Sequence, residues 1–413
     1  MNYARFILEN RAFLAFGALL TALSSVGQTF VISLFGGELR AAFALSNADF
    51  GLLYGLATVA SALSLAWVGR LVDTVDLRAL TTGVLATAAV GCGLLAGSQG
   101  VVMLGLGFFL LRLSGQGMMV HVAQTTMARY FTANRGKAVS VAMLGLPLAE
   151  GVMPILVVTA LALIGWRSSW AVLAIIVVIV MLPVALALLR YHDRRDVEPI
   201  PAMPSVHQAP PAASWRRRDV LRHPLFYALL PAVMAPPFII TALFFHQVPL
   251  AEEKGWSLHW LASSFFAFAA SHIVSLMLAG PLVDRIGACH LVPVFLAPLM
   301  LGIVMLAVAS GQWVAPVYLL LVGVSVGGAG TLMGALWAEL YGTQHIGAIR
   351  ALVHAVMVLA TAASPVLAGA LLDWGLNPSD IALLFAAYAL SASLLAGVAT
   401  RWEKRPFVRN PDN

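Results

Sequence analysis

Charge is scarce in this chain. Lys, Arg, Asp and Glu make up 10% of its 413 residues, while 61% are hydrophobic; a soluble domain carries about 25% charged residues. That shortage excludes a water-soluble globular protein and indicates a membrane protein. Cysteine is almost absent. Cys92 lies in an apolar run and Cys289 in a loop, so neither a disulfide framework nor a thiolate metal site is expected. No nucleotide-binding glycine loop, metal-ligand cluster or catalytic triad stands out. We therefore expect no cofactor and no enzymatic activity, and any uphill work must draw on a gradient.

Long hydrophobic runs are abundant instead. A stretch of about 20 apolar residues can cross a ~30 Å hydrocarbon core as a helix. Twelve such stretches occur, near 12–36, 48–69, 79–98, 101–128, 137–163, 169–190, 225–249, 257–280, 290–309, 313–340, 347–372 and 378–400. The expected fold is an all-α integral membrane protein of twelve transmembrane helices. The first run is too long for a signal peptide, and its leader, 1–11, reads as a cytoplasmic tail.

The net charge of +6 does not read as nucleic-acid binding, because its distribution follows topology. With the N-terminus inside, every Lys and Arg falls on the cytoplasmic side except Arg40, Arg167, Lys254 and the intramembrane Arg112. This positive-inside bias places both termini in the cytoplasm, and we expect a multi-pass protein of a bacterial inner membrane. Arg216, Arg217 and Arg218 read most simply as a topology signal, with an anionic-lipid contact as the lesser reading. Trp166, Trp170, Trp256, Trp260, Trp313 and Trp374 sit near span ends, as an aromatic belt would.

Most loops are short; 191–223 is the exception. Its Pro/Ala-rich part, 199–213, cannot build a core and reads as an extended linker. It divides the chain into bundles at 1–190 and 224–400, with a tail at 401–413. Ser46 followed by Asp49 reads as a helix start. Gly323, Gly327, Gly330 and Gly334 let span ten approach a neighbour closely, either within one bundle or at a sliding surface. Pro231, Pro236 and Pro237 each delete a backbone donor, so span seven is expected to bend or break there.

The halves repeat. Gly69-Arg70-Leu71-Val72-Asp73 recurs as Gly280-Pro281-Leu282-Val283-Asp284. The same offset carries Ser114 onto Ser325, Gly117 onto Gly328, Tyr130 onto Tyr341, Gly136 onto Gly347 and Pro154 onto Pro365. One shift aligning matches over so long a stretch implies a duplicated unit, with halves related by a pseudo-twofold along the membrane normal. Parallel repeats of this kind build rocking transporters with the site between the halves.

The two hairpins resemble the signature of the major facilitator superfamily, Gly-x-Leu-x-Asp-(Arg/Lys)-x-Gly-(Arg/Lys)-(Arg/Lys). Gly69, Leu71, Asp73 and Arg78 match it in the first copy. Gly280, Leu282, Asp284, Arg285 and Gly287 match it in the second. The first copy departs at Thr74, Asp76 and Leu77. A second family feature, an arginine in span four followed by glycines, is matched by Arg112-Leu113-Ser114-Gly115-Gln116-Gly117. The resemblance covers all twelve spans. Ala338-Glu339-Leu340-Tyr341-Gly342 with Gly347 is similar to the monocarboxylate and oxalate/formate branch, but that branch's intramembrane lysine and paired Asp/Arg are missing. Of the drug antiporters' span-five signature only Pro147 and Gly151 are present. The hairpins imply a gate at the cytoplasmic ends of the spans, carried by Gly69, Asp73, Arg78, Arg129, Gly280, Asp284 and Arg285.

An ionisable group inside hydrocarbon is costly and needs a reason. Arg112 in span four and Glu150 in span five both fall near the midplane. Spans four and five are antiparallel neighbours, so the two are placed to meet as an ion pair. That pair reads either as a static strut or as one that opens when Glu150 takes a proton and Arg112 an anionic substrate. Gln116 and Met119 share a face with Arg112 by helical spacing, whereas His121 lies opposite. His246, His272 and His354 are intramembrane and titrate near neutral pH, although a lone histidine there is more often a packing residue. Gln28 and Thr29 read as substrate hydrogen-bonders or as interhelical glue. Glu339 reads as an end-of-helix or gate charge.

These residues suggest a secondary transporter working by alternating access on a small organic anion such as a monocarboxylate, with proton symport. The alternatives are proton-coupled efflux of a drug or metabolite, and a transporter-like sensor. The expected partners are a small-molecule substrate, protons and the lipid bilayer, with no nucleic acid. A monomer is expected.

Overall fold

The computed structural model describes residues 3–131, 134–193 and 215–403. Most of the 191–223 linker, including 199–213, and the tail from 404 onward lie outside the described residues. All regular elements among the described residues are helices, because every backbone donor inside hydrocarbon must be satisfied within its own segment.

Among the described residues, nine helices are long and apolar enough to cross a membrane. Twelve crossings result because one of the nine holds two spans and two further features each supply one. Span one is a broken pair, Arg11–Gly27 and Thr29–Phe43, bent by 46°. The 56-residue run Arg135–Arg190 holds spans five and six, turning at Gly165, whose φ of 73° lies in the left-handed region that glycine tolerates. Span nine is the short helix Ala297–Val308. We call the end of the spans that carries the 69–78 hairpin the basic end, and the opposite one the far end.

Span two, Asn47–Val68, starts as its sequence predicts: Ser46 and Asp49 form a reciprocal capping box. Span seven does not follow expectation. Its helix Pro224–Phe245 runs unbroken through Pro231, Pro236 and Pro237, and the break falls at His246, with φ −102° and ψ 27°. Phe238 packs on Phe385 and Tyr388 of span twelve, and the Tyr388 hydroxyl donates to the Pro231 carbonyl. Neighbouring helices hold a membrane helix together through prolines that would break it in water. The belt reading also needs correction at two positions, since Trp170 and Trp256 are buried, Trp170 against Phe35.

Contacts divide the chain into two units: Met1–Val206 with Phe244–Phe266 and Ala362–Gly375, and His207–Leu243 with Ala267–Thr361 and Leu376–Asn413. The first thus takes in the far-end portions of spans seven, eight and eleven. Its core joins Phe13, Phe16, Leu85, Met119 and Met127. Span one is wedged tightly within it. A Cβ on Gly115 of span four would lie 2.9 Å from Gly27 Cα, and one on Gly145 of span five would collide with Ala18 and Thr21. In the second unit, Gly323 and Gly327 of span ten press on the backbone of span eight at Phe268 and His272. These glycines therefore pack one unit internally, while Gly330 faces open space.

Candidate functional site

The site begins with the break in span one. The last turn before it, Ser24–Gly27, is a 3-10 helix, and Gln28 is extended at φ −85° and ψ 154°. The amides of Val31 and Ile32 both turn to the Gln28 carbonyl. The Gly27 carbonyl, which Val31 would cap in a regular helix, is thereby released. Arg112 takes it: the guanidinium donates from NH1 to Gly27 O at 3.1 Å and from Nε to Thr58 Oγ1 at 3.1 Å. Its Cζ lies 4.8 Å from the centre of the Tyr54 ring, a cation–π contact that helps to hold a charge away from water. The Tyr54 hydroxyl shares a hydrogen bond with Thr29 Oγ1 at 2.7 Å, so both sides of the break in span one meet span two and Arg112.

Arg112 is 1% exposed, and none of these partners among the described residues is a carboxylate. Its described partners are a hydroxyl, a carbonyl and a ring. Glu150 is buried in span five. Tyr54 and Thr58, four residues apart on one face of span two, were missed by the sequence reading, although their spacing was a visible signal.

The expected common face of Arg112, Gln116 and Met119 does not form. Arg112–Met119 is π-helical. A π-helix winds more residues into each turn than an α-helix, so Met119, seven residues from Arg112, is carried off its face. Gln116 is exposed and Met119 lies in the core. His121 turns to the basic end, where Nε2–H donates to the Gly69 carbonyl at 3.1 Å.

Above Arg112, toward the far end, lies a layer of rings. Phe245 packs on Phe50 at 4.8 Å and on Tyr54 at 4.7 Å, and Phe108 packs edge-on to Phe50 at 5.8 Å. Beyond it, polar fasteners bind spans seven and eleven to spans one and two. Ser33 Oγ donates to the Phe244 carbonyl at 2.7 Å, joining two positions related by the 211-residue offset. Gln247 Nε2 donates to Phe30 O and to Ser33 Oγ at 2.9 and 2.8 Å. His246 Nε2–H donates to the Pro365 carbonyl at 2.9 Å, so His246 acts as a fastener in this structure. The Asp373 carboxylate accepts from the amides of Asn47 and Ala48 at 3.1 and 2.8 Å and from Asn47 Nδ2. These amides are the first donors of span two, where the helix dipole favours an anion. Gly51, Gly55 and Gly369 allow the approach, each lying within 2.6 Å of an opposing carbonyl if given a Cβ.

The remaining candidates are placed elsewhere. His272, in the second unit, is buried beside Phe268 at 5.8 Å. His354 is exposed, and Gln28 is half-buried at the break.

At the basic end the two hairpins are latched by different chemistry. In the first, Arg129 of span four forms an ion pair with Asp73 and donates from NH1 to the Val72 carbonyl at 3.2 Å. Gly69 caps span two, and Asp76 N-caps span three by accepting from the amides of Arg78 and Ala79. That capping role explains Asp76 in a glycine position: its φ is −52°, whereas its repeat mate Gly287 sits at φ 85°. In the second hairpin Glu339 of span ten accepts from the amides of Ala288 and Cys289 at 2.8 and 3.1 Å, while Gly280, Asp284 and Arg285 make no part of that latch and Asp284 and Arg285 are exposed. Nearby, Trp215 donates its amide to the Tyr341 carbonyl at 3.2 Å, and His223 lies 3.3 Å from the Tyr341 hydroxyl. Burial lowers the His223 pKa, favouring the neutral ring.

The Asp73 latch predicts a gating defect without a folding defect. Asp73→Asn leaves Arg129 its carbonyl partner and removes only the ion pair, which is exposed and worth under about 1 kcal/mol. We expect the thermal midpoint to move by less than ~3 °C while turnover in proteoliposomes falls severalfold. Wild-type turnover in both Asp73→Asn and Arg129→Gln would refute the latch.

Comparison with known proteins agrees with this architecture. No curated protein matches the chain. Among solved structures, a bacterial homolog of the human lysosomal transporter Spinster, in an inward-facing and occupied conformation, has a TM-score of 0.69 at 13% identity, covering 97% of this chain and 96% of that one. The nucleoside transporter NupG has a TM-score of 0.71 at 10% identity, covering 94% and 99%. At these identities the likeness concerns the fold alone. The profile of the Major Facilitator Superfamily matches residues 17–365, and with the twelve crossings, the repeated hairpins and the span-four arginine this places the chain in that superfamily, as a secondary transporter and not an enzyme.

Proposed function

We propose that the protein carries a small organic anion, such as a monocarboxylate, with a proton, by alternating access of two halves, 1–190 and 224–400, joined by 191–223. The observation that carries this reading is Arg112. It is a permanently charged fork buried in span four, held by neutral partners and with three of its five N–H donors outside those two hydrogen bonds. A carboxylate completes such a site in a way that a neutral solute does not, because planar guanidinium and carboxylate groups pair in two parallel hydrogen bonds. Gln28 and Thr29 at the break in span one stand beside it as substrate hydrogen-bonders. In this structure the ring layer of Phe50, Phe108 and Phe245 covers the arginine, so binding requires that layer to part.

Glu150 is the proposed proton carrier, being a buried carboxyl in span five. Glu150→Gln keeps the shape and removes the titratable proton. We expect the variant to bind substrate and to exchange it at equilibrium, while failing to concentrate it when only a pH difference drives uptake. Accumulation at the wild-type level under that drive would end the proton-carrier role. Both termini are proposed to be cytoplasmic, which puts the hairpin latches on the inside. The chain is proposed to act as a monomer.

A further inference from the structure

A groove of about 690 Å³ runs along the second unit between spans eight and nine, with span ten as its floor. Its volume is that of a ligand pocket, yet its walls are almost wholly apolar. The hydroxyls that reach it are spent on backbone, Ser275 donating to the Val324 carbonyl at 2.6 Å and Ser271 to Phe268 O at 3.0 Å. The rim is exposed aliphatic surface, with Leu278 61% and Val294 58% accessible. From Ala267 to Leu282 the wall on span eight is about 22 Å long, longer than one leaflet of a ~30 Å hydrocarbon core.

Two features make the groove, and the duplication isolates both. Span three is a continuous 20-residue helix, Leu77–Ala96. Its repeat mate is interrupted: residues 292–296 form turns between Ala288–Leu291 and the 12-residue helix Ala297–Val308. Side-chain bulk differs in the same direction. The 211-residue offset pairs Ala267 with Leu56, Ala270 with Val59, Leu278 with Trp67 and Leu320 with Phe109. The second copy is smaller at each of these four positions on spans eight and ten, while on span nine Val294 and Phe295 are larger than their mates Gly83 and Val84, so the channel is opened from the span-eight and span-ten sides.

Charge sits at one mouth. Leu278, Leu282 and Arg285 fall at i, i+4 and i+7 on span eight, so Arg285 continues the groove-lining stripe to the basic end, where it is exposed. An apolar channel longer than a leaflet, open along a membrane span and headed by a guanidinium, matches one chemistry: an acyl chain carrying a phosphate. We infer that this groove is a binding site for one anionic phospholipid, with an acyl chain between spans eight and nine and its phosphate on Arg285. The site belongs to the second unit and is separate from Arg112.

Native mass spectrometry of the full-length protein in mild detergent, given equal dioleoylphosphatidylglycerol and dioleoylphosphatidylcholine, tests this. The expected result is one retained phospholipid per chain, with the phosphatidylglycerol form favoured about tenfold. Arg285→Gln should abolish the preference and Arg285→Lys should keep most of it. Gly328→Leu, on the floor of the groove where an added Cβ meets only Ser275 Oγ at 3.5 Å, should remove retention of both lipids. If that variant is not monodisperse, Val294→Trp plugs the same channel from the rim. The inference is overturned if wild type retains no lipid, if neither plug lowers retention, if the preference survives in Arg285→Gln, or if added oleate displaces the phospholipid at equal concentration.

Discussion

Arg112→Lys is expected to abolish transport, lowering uptake of the substrate anion into proteoliposomes at least 100-fold, to the level of empty liposomes. The guanidinium donates to Thr58 and Gly27 in two directions while its flat face lies over Tyr54. A lysine ammonium cannot reproduce this, being a point charge on a flexible stem. It satisfies at most part of the set and leaves no oriented fork for a carboxylate. Stability should suffer less than activity. An orphaned buried hydrogen-bonding group costs about 1–3 kcal/mol, so we expect the thermal midpoint to fall by a few degrees with the fold retained. Arg112→Met separates the roles further: it removes the buried charge together with its desolvation cost, and should be equally inactive yet no less stable than the lysine variant. Measurable uptake by Arg112→Lys, above about a tenth of wild type, would show that the arginine is a strut and not part of the site.

Asp373→Ala is expected to open the far end. The carboxylate accepts from the first two amides of span two and from Asn47 Nδ2, tying span eleven to them with three hydrogen bonds. Hydrogen bonds to a charged group contribute about 1.5–3 kcal/mol when buried. At this exposed end solvent screening reduces the set to about 1–2 kcal/mol, which changes a two-state ratio by about 5- to 30-fold. A cysteine at Ala362, which is buried with its carbonyl against Gly55, with Cys92 and Cys289 replaced, reports the change through labelling by a membrane-impermeant maleimide added from the far side. Labelling should quicken by about that factor in Asp373→Ala, and Asp373→Asn should fall between it and wild type. Unchanged labelling would mean that the remaining fasteners and the close contacts at Gly51, Gly55 and Gly369 hold the far end shut without Asp373.

Much of this architecture was legible in one dimension. A shortage of charge and a series of apolar runs have one physical solution, helices that satisfy their own backbones, so span count and class follow from composition. The duplication shows in matched hairpins, and Asp73 announces itself by recurring as Asp284. The start of span two at Ser46 was readable because a capping box is local, made by residues three apart.

What could not be read depends on contacts between distant residues or on departures from helical regularity. Arg112 and Glu150 share a depth, but depth does not choose a partner. A break in span one released the Gly27 carbonyl, and the span-four arginine turned to it. The π-helical stretch of Arg112–Met119 moved Met119 off the face that regular spacing assigns to it. Span seven broke at His246 and not at its prolines, because Ser33, Gln247 and Pro365 bind the chain there whereas packing against span twelve holds the helix through Pro231. Periodicity reports which residues could face one another on a straight helix; the hydrogen bonds freed where helices stop being straight settled which of them meet.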